Sequence, residues 1–252
     1  MGFVDIFRFV KRKADNVFYL PPPHLKPLID DGKGWYFENR VIAHALGADG
    51  KKVYTNSREA FYASINAGAK VFEADVSFTK DFVPMLSHSD LSEISSDEAR
   101  ARGILGLIDF ARLIAPYLPG IYVILDIKDF KRAADTAKFL HSSLPVQVLD
   151  SFIFQISSSR QYFEIRGVWS GFKKFHYNFG LDGNPNSAIP FLVENEIHTA
   201  SVALRWARKP KKLKWLKRYN IKCYAFTVND ADEAKAFLKS GIWGYFTDFL
   251  IR

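Results

Sequence analysis

From Arg40 to the C-terminus, short apolar runs alternate with helical patterns. RVIAHALG, KVFEADVS, YVILDIKD, SFIFQIS, GVWSGF, TASVALRW, CYAFTVN and WGYFTD have the length and composition of strands. Helical spacing falls at 57–67, at 131–140, near Arg160, near Ala188, at 211–219 and at 231–239. Strand alternating with helix predicts parallel strands covered by helices. VPMLSHS follows KVFEADVS too closely for a parallel crossover of roughly a dozen residues, so it is predicted to return as an antiparallel hairpin. Setting it aside leaves eight strands, the number of a (β/α)8 TIM barrel, whose chemistry gathers at the C-terminal strand ends. Before this region, Phe3, Ile6, Phe7 and Val10 have helical spacing and are followed by Lys11, Arg12, Lys13 and then PPPHLKP. The chain is therefore read as an N-terminal helix with a proline-rich lead-in (1–36) and a barrel (37–252). The helix is expected on the barrel bottom, with a membrane surface as its alternative.

Composition narrows the picture without naming a partner. The 252 residues, 48% hydrophobic, suffice for one large core. Thirty-five Lys plus Arg against 27 Asp plus Glu give +8, which favours anionic partners. Cys223 is the one cysteine, which excludes a disulfide within the chain. The N-terminus lacks the signature of a secretory signal, and no apolar run has membrane-spanning length, so a cytoplasmic protein with no transmembrane segment is expected.

Alternation places Val71, Glu73 and Asp75 on one strand face and Phe72, Ala74 and Val76 on the other. The all-apolar face belongs against the helices, so the two carboxylates point into the barrel, where like charges about 4 Å apart repel by roughly 1–4 kcal/mol. In YVILDIKD the same parity turns Asp126 and Lys128 inward. Three converging carboxylates suit a hard divalent cation, Mg2+ or Ca2+, and no Cys or His cluster offers a softer site. His44 ends the first strand and the hairpin brings His88 back to the same rim. Flanking a metal and a lysine, the two form an acid–base pair suited to a phosphate ester.

These motifs resemble those of the glycerophosphodiester phosphodiesterase family, relatives of phosphatidylinositol-specific phospholipase C and sphingomyelinase D. The resemblance is carried by HALG at His44, TNSREAF at Thr55, EADVSFTKD at Glu73, PMLSHS ending in His88 and Ser89, LDIK at Asp126 and Lys128, and YAFTVN followed by GYFTD. It implies that Glu73, Asp75 and Asp126 hold the divalent cation, that His44 and His88 exchange protons, and that Lys128, Asn56 and Phe226 face the substrate. A metal-dependent phosphodiesterase cleaving a small glycerophosphodiester-like substrate is the implied activity. Its alternatives are a sphingomyelinase-D-like transferase forming a cyclic phosphate, and a barrel without turnover that binds phosphorylated glycans or lipids.

The chain departs from the family's pattern at four places, one of them the shorter Asp126 as the acidic residue before Lys128. Ala45 stands where the family has arginine, Thr55 where it has glutamate, and Ser89 where it has aspartate. Arg205, after TASVAL, is the candidate replacement for the missing guanidinium. The bland reading of Glu73, Asp75, Asp126 and Lys128 is a structural ion network at the barrel mouth. His141, His176 and His198 fall outside any motif and are assigned no chemistry. RKPKKLKWLKR at 208–218 reads as the solvated face of an outer helix with Leu213, Leu216 and Tyr219 turned inward; its sharper reading is contact with anionic lipid or a phosphorylated polymer, nucleic acid being the less expected partner.

Overall fold

The computed structural model describes residues 24–181 and 184–251. Its strands are β1 (Val41–Ala43), β2 (Val71–Phe78), β3 (Pro84–Leu86), β4 (Tyr122–Ile127), β5 (Phe152–Ile156), β6 (Phe175–Asn178), β7 (Thr199–Ala203), β8 (Lys222–Phe226) and β9 (Gly244–Thr247). Eight of them form a parallel ring, β1-β2-β4-β5-β6-β7-β8-β9, closed because β1 bonds both β9 and β2. The ninth, β3, pairs antiparallel with β2 outside the ring, Val76 opposite Leu86 and Phe78 opposite Pro84. The fold is the predicted TIM barrel with its hairpin excursion.

Strand parity divides the apolar residues into two bodies. Phe72, Ala74, Val76, Val123, Leu125, Phe154 and Ala225 point outward into the layer between sheet and helices. Ile42, Val71, Ile124, Ile153, Tyr224 and Phe246 point inward and fill the lower lumen with Trp35 and Tyr36. Trp35 closes the bottom, stacked 5.9 Å from Tyr224. Its loop is fixed by Tyr224 Oη donating to the Asn39 carbonyl at 2.7 Å and Trp243 Nε1 donating to the Tyr36 carbonyl at 2.9 Å. From His24 onward the lead-in is thus built into the barrel. The N-terminal helix lies outside the described residues.

The helices follow their caps. Ser57 accepts from Ala60 N–H and starts the helix Arg58–Asn66; Ser158 and Asp230 do the same for Ser159–Val168 and Ala231–Ser240. The predicted helix at 131–140 begins later, at Ala133, after a 3-10 turn over Phe130–Arg132. Leu213, Leu216 and Tyr219 are buried, as the pattern of the basic run predicts.

One strand is corrected. GVWSGF is not in the sheet: Val168 ends a helix, and Trp169 and Phe172 pack ring to ring at 5.0 Å, with Phe172 against Phe154 at 4.9 Å. These aromatics plug the outer layer from a loop. The ring takes FHYN instead, whose alternation was masked because His176 and Asn178 face the lumen.

Candidate active site

The rim above β1 is made by a tight turn. Ala45 and Leu46 have left-handed φ of 47° and 67°, strained values for residues with side chains, and Gly47 follows at φ 99°. A β-carbon on Gly47 would collide with Ser64 Oγ, which donates to the Leu46 carbonyl at 2.7 Å. This turn aims Ala45 N–H at Glu73 Oε2, 2.7 Å away. The position the family gives to arginine is therefore occupied by a buried Ala45 whose backbone serves a carboxylate.

Parallel register sets Asp75 of β2 beside Asp126 of β4 and Glu73 beside Ile124. Glu73, Asp75 and Asp126 converge, with one oxygen of each lying within 4.8 Å of the others. Lys128 Nζ reaches Asp126 Oδ2 at 2.6 Å and touches Asp75 Oδ1. Burial opposes the charge on Lys128, but Asp126, Asp75 and Glu73 together raise its pKa and hold the ammonium protonated. Glu73 is pushed well above the usual carboxylate range by burial and by the neighbouring Asp75. Three carboxylates facing one ammonium leave excess negative charge. Asp75 Oδ1, buried, has the ammonium against it but no hydrogen-bond donor aligned on it. An all-oxygen donor set with an underserved buried oxygen fits a divalent cation.

Asn56, read as a substrate contact, has a different place. Its Nδ2 donates to Asp75 Oδ2 at 2.7 Å while its Oδ1 accepts from Asp75 N–H at 2.9 Å, and it is 1% exposed. It orients a carboxylate and presents no surface to a ligand.

His44 continues the inward face of β1. Its Nδ1 lies 2.9 Å from Asp248 Oδ1, and Asp248 is itself held by Asn229, whose Nδ2 donates to Oδ2 at 2.6 Å and whose Oδ1 accepts from Asp248 N–H at 2.9 Å. Since a carboxylate only accepts, Nδ1 carries the shared hydrogen and Nε2 is left with its lone pair free. Burial works against the imidazolium; the Asp248 hydrogen bond, with Glu73 and Asp75 nearby, overcomes it and raises the His44 pKa.

His88 arrives by the hairpin: Ser87 N–H donates to the Asp75 carbonyl at 3.0 Å, which sets the following residue at the level of the carboxylates. It is exposed. Tyr54 stands between the two histidines, edge-on, 4.8 Å from the His44 ring and 5.0 Å from the His88 ring. It is 43% exposed at φ 58° on the loop before the first helix. Phe226 ends β8 facing the lumen, 6.4 Å from Phe246. Arg205 is exposed on the short helix Leu204–Ala207 that follows β7, at the same end of the barrel.

Sequence reasoning missed Tyr54, Asp248 and Asn229. Asp248 had a usable signal, since Phe246 faces the lumen and the residue two further on shares that face. Tyr54 and Asn229 sit on loops, where no periodicity reports direction.

Carboxylates, a lysine and a histidine gather at the C-terminal rim of a closed parallel barrel, the end at which enzymes of this fold carry their active sites. Residues 47–149 match the model of the Glycerophosphoryl diester phosphodiesterase family. The resemblance carried by the motifs thus holds over a span containing Glu73, Asp75, His88, Asp126 and Lys128. Among curated proteins nothing matches. Solved structures agree in fold: an Oleispira antarctica phosphodiesterase in complex with the product sn-glycerol-3-phosphate (17% identity, 84% of this chain and 94% of that one, TM-score 0.67), a glycerophosphodiester phosphodiesterase from Parabacteroides distasonis (19%, 83% and 92%, 0.64) and one from Thermotoga maritima (19%, 83% and 94%, 0.62). No helix among the described residues is long and apolar enough to cross a membrane.

Proposed function

We propose that the protein is a phosphoric diester hydrolase acting on a small, water-soluble glycerophosphodiester. The observation that carries this reading is the convergence of Glu73, Asp75 and Asp126 at the strand ends that also carry His44 and Lys128, with His88 across Tyr54.

Glu73, Asp75 and Asp126 would hold a divalent cation, Mg2+ or Ca2+. When bound, that ion supplies positive charge to the phosphoryl oxygens. The chain's own residues do the rest. Lys128, kept protonated by its carboxylates, draws a non-bridging oxygen and offsets the charge that builds on it in the transition state. His44, its Nδ1–H fixed on Asp248, takes the proton of the attacking hydroxyl or water at Nε2. His88 donates a proton to the departing alkoxide. Phe226 offers an apolar wall to the glycerol or headgroup carbon chain.

The test is hydrolysis of glycerophosphocholine with Mg2+ or Ca2+ present, in wild type and in His44→Ala and His88→Ala. Loss of turnover in both variants with the fold retained is expected; wild-type rates in both would remove the acid–base roles. Phosphorus NMR of the product separates hydrolysis from transfer, a cyclic phosphate marking the sphingomyelinase-D-like route. Tight phosphodiester binding without turnover across several metals would mark a binding barrel.

A further inference from the structure

Between Glu196 and Asp230 the chain has nine Lys or Arg and no acidic residue. The structure folds the middle of this run into a 3-10 turn, Pro210–Leu213, and a short helix, Lys214–Arg218. Leu213 and Leu216 pack inward, which turns Lys211, Lys212, Lys214, Lys217 and Arg218 to the outside, all exposed. Arg208 is neutralised by Glu233 at 2.7 Å, whereas none of those five has a carboxylate partner among the described residues. Trp215 sits among them, half-buried, with Lys214 Nζ 5.2 Å and Arg218 Cζ 5.1 Å from its ring. A cleft of about 280 Å³ opens beside the helix, lined by Lys214, Lys217, Lys222 and Trp243, at the N-terminal ends of β8 and β9 and so at the opposite end of the barrel from the carboxylates.

The start of the described chain is clamped to the same place. Leu28 N–H donates to the Tyr219 carbonyl at 3.2 Å, Asn220 Nδ2 donates to the Leu28 carbonyl at 2.8 Å, and Lys222 pairs with Asp30 at 2.5 Å. Residue 24 is four residues from that clamp, so the described chain begins beside the basic helix. The preceding sequence carries Phe3, Ile6, Phe7 and Val10 at helical spacing, then Lys11, Arg12 and Lys13.

We infer that this face docks the protein on an anionic lipid bilayer. Clustered unpaired cations supply the electrostatic attraction, and a tryptophan among them suits the headgroup layer. Stable peripheral anchoring takes two signals; the apolar positions Phe3, Ile6, Phe7 and Val10 of the preceding sequence supply the second. An outer helix face with a single half-buried aromatic offers no row of stacking platforms for single-stranded nucleic acid.

The full-length protein is sedimented with phosphatidylcholine vesicles and with vesicles containing one third phosphatidylglycerol. Binding is expected on the anionic vesicles alone, weakening as salt shortens the screening length. Each neutralised cation should lower the partition coefficient about five-fold, so K211Q/K212Q/K214Q/K217Q should lower it by about two to three orders of magnitude. Circular dichroism and an unchanged Tm establish that this variant is folded. F3D/F7D, which leaves the basic face intact, should also weaken binding to the anionic vesicles. Absence of wild-type binding to them, equal binding by the quadruple variant, or tighter capture by single-stranded RNA at the same salt would overturn the inference.

Discussion

The lower and upper halves of the barrel lumen are built from the same strands and differ in almost every other respect. On β2 the inward residues run Val71, Glu73, Asp75; on β4, Ile124 is followed by Asp126 and then Lys128. Below, Trp35, Tyr224, Ile153 and Phe246 exclude water and fill the ring. Above, like charges are crowded together and one turn of backbone is held at left-handed φ. A step of two residues, roughly 7 Å along a strand, separates the part that stabilises the fold from the part that costs stability. The contrast teaches that the carboxylates are tolerated because the apolar plug beneath them is secure.

Substitutions in the two halves should therefore fail in opposite ways. The largest effect is expected at His44. His44→Ala should lower kcat by about 10²–10⁴-fold, the range of general acid–base catalysis, with Tm nearly unchanged. Asp248→Asn should also act on kcat, by a smaller factor, because the ring remains but its tautomer is no longer fixed. KM should hold, and the pH–rate profile should move to lower pH as the support for the imidazolium is lost.

In the lower half, Trp35→Ala should cost about 3–5 kcal/mol of stability by opening a cavity under Tyr224, measured by urea unfolding. The fraction that remains folded should turn over normally. Glu73→Gln sharpens the comparison from above. It removes a buried carboxylate that burial and Asp75 already push toward its neutral form. Activity should be lost while Tm rises by about 2–4 °C for each 1 kcal/mol of strain relieved.

A further effect is one of pH. His176 lies in the lumen with its Nδ1 3.0 Å from Thr199 Oγ1, its Nε2 without a partner, and rings of Phe246, Tyr224 and Trp35 around it. Burial lowers its pKa to about 3. Below the unfolded value of about 6.5 the unfolded chain binds a proton that the folded chain refuses, so stability falls as pH drops from 6.5 toward 3. The slope from this one group is about 1.4 kcal/mol per pH unit. His176→Phe should flatten that part of the Tm–pH curve, which thermal unfolding between pH 7 and 4 measures. Cys223 is buried, which pushes its thiol up to about 12.

Much of this division was legible in the sequence because strands alternate with period two. Once Val71 and Phe72 are assigned to opposite faces, the directions of Glu73, Asp75, Asp126 and Lys128 follow. Parity failed where polar residues face inward low in the barrel. FHYN reads as a poor strand because His176 and Asn178 point into the lumen, while GVWSGF reads as a good one because its aromatics serve the outer layer from a loop. Asn56 looked like a ligand contact because only the folded chain shows both ends of its amide committed to Asp75. Tyr54 carried no signal at all, its position between two imidazoles being set by a loop turn that no pattern announces.

The central claim is that the upper carboxylates form a cation site. Titrating the wild-type protein with Mn2+ in a calorimeter tests it without reference to substrate. The account predicts one equivalent of Mn2+ bound and, in Asp126→Asn of equal Tm, binding weakened by at least ~10-fold through loss of one anionic oxygen ligand. No heat in the wild type, or the same affinity in both, would contradict it.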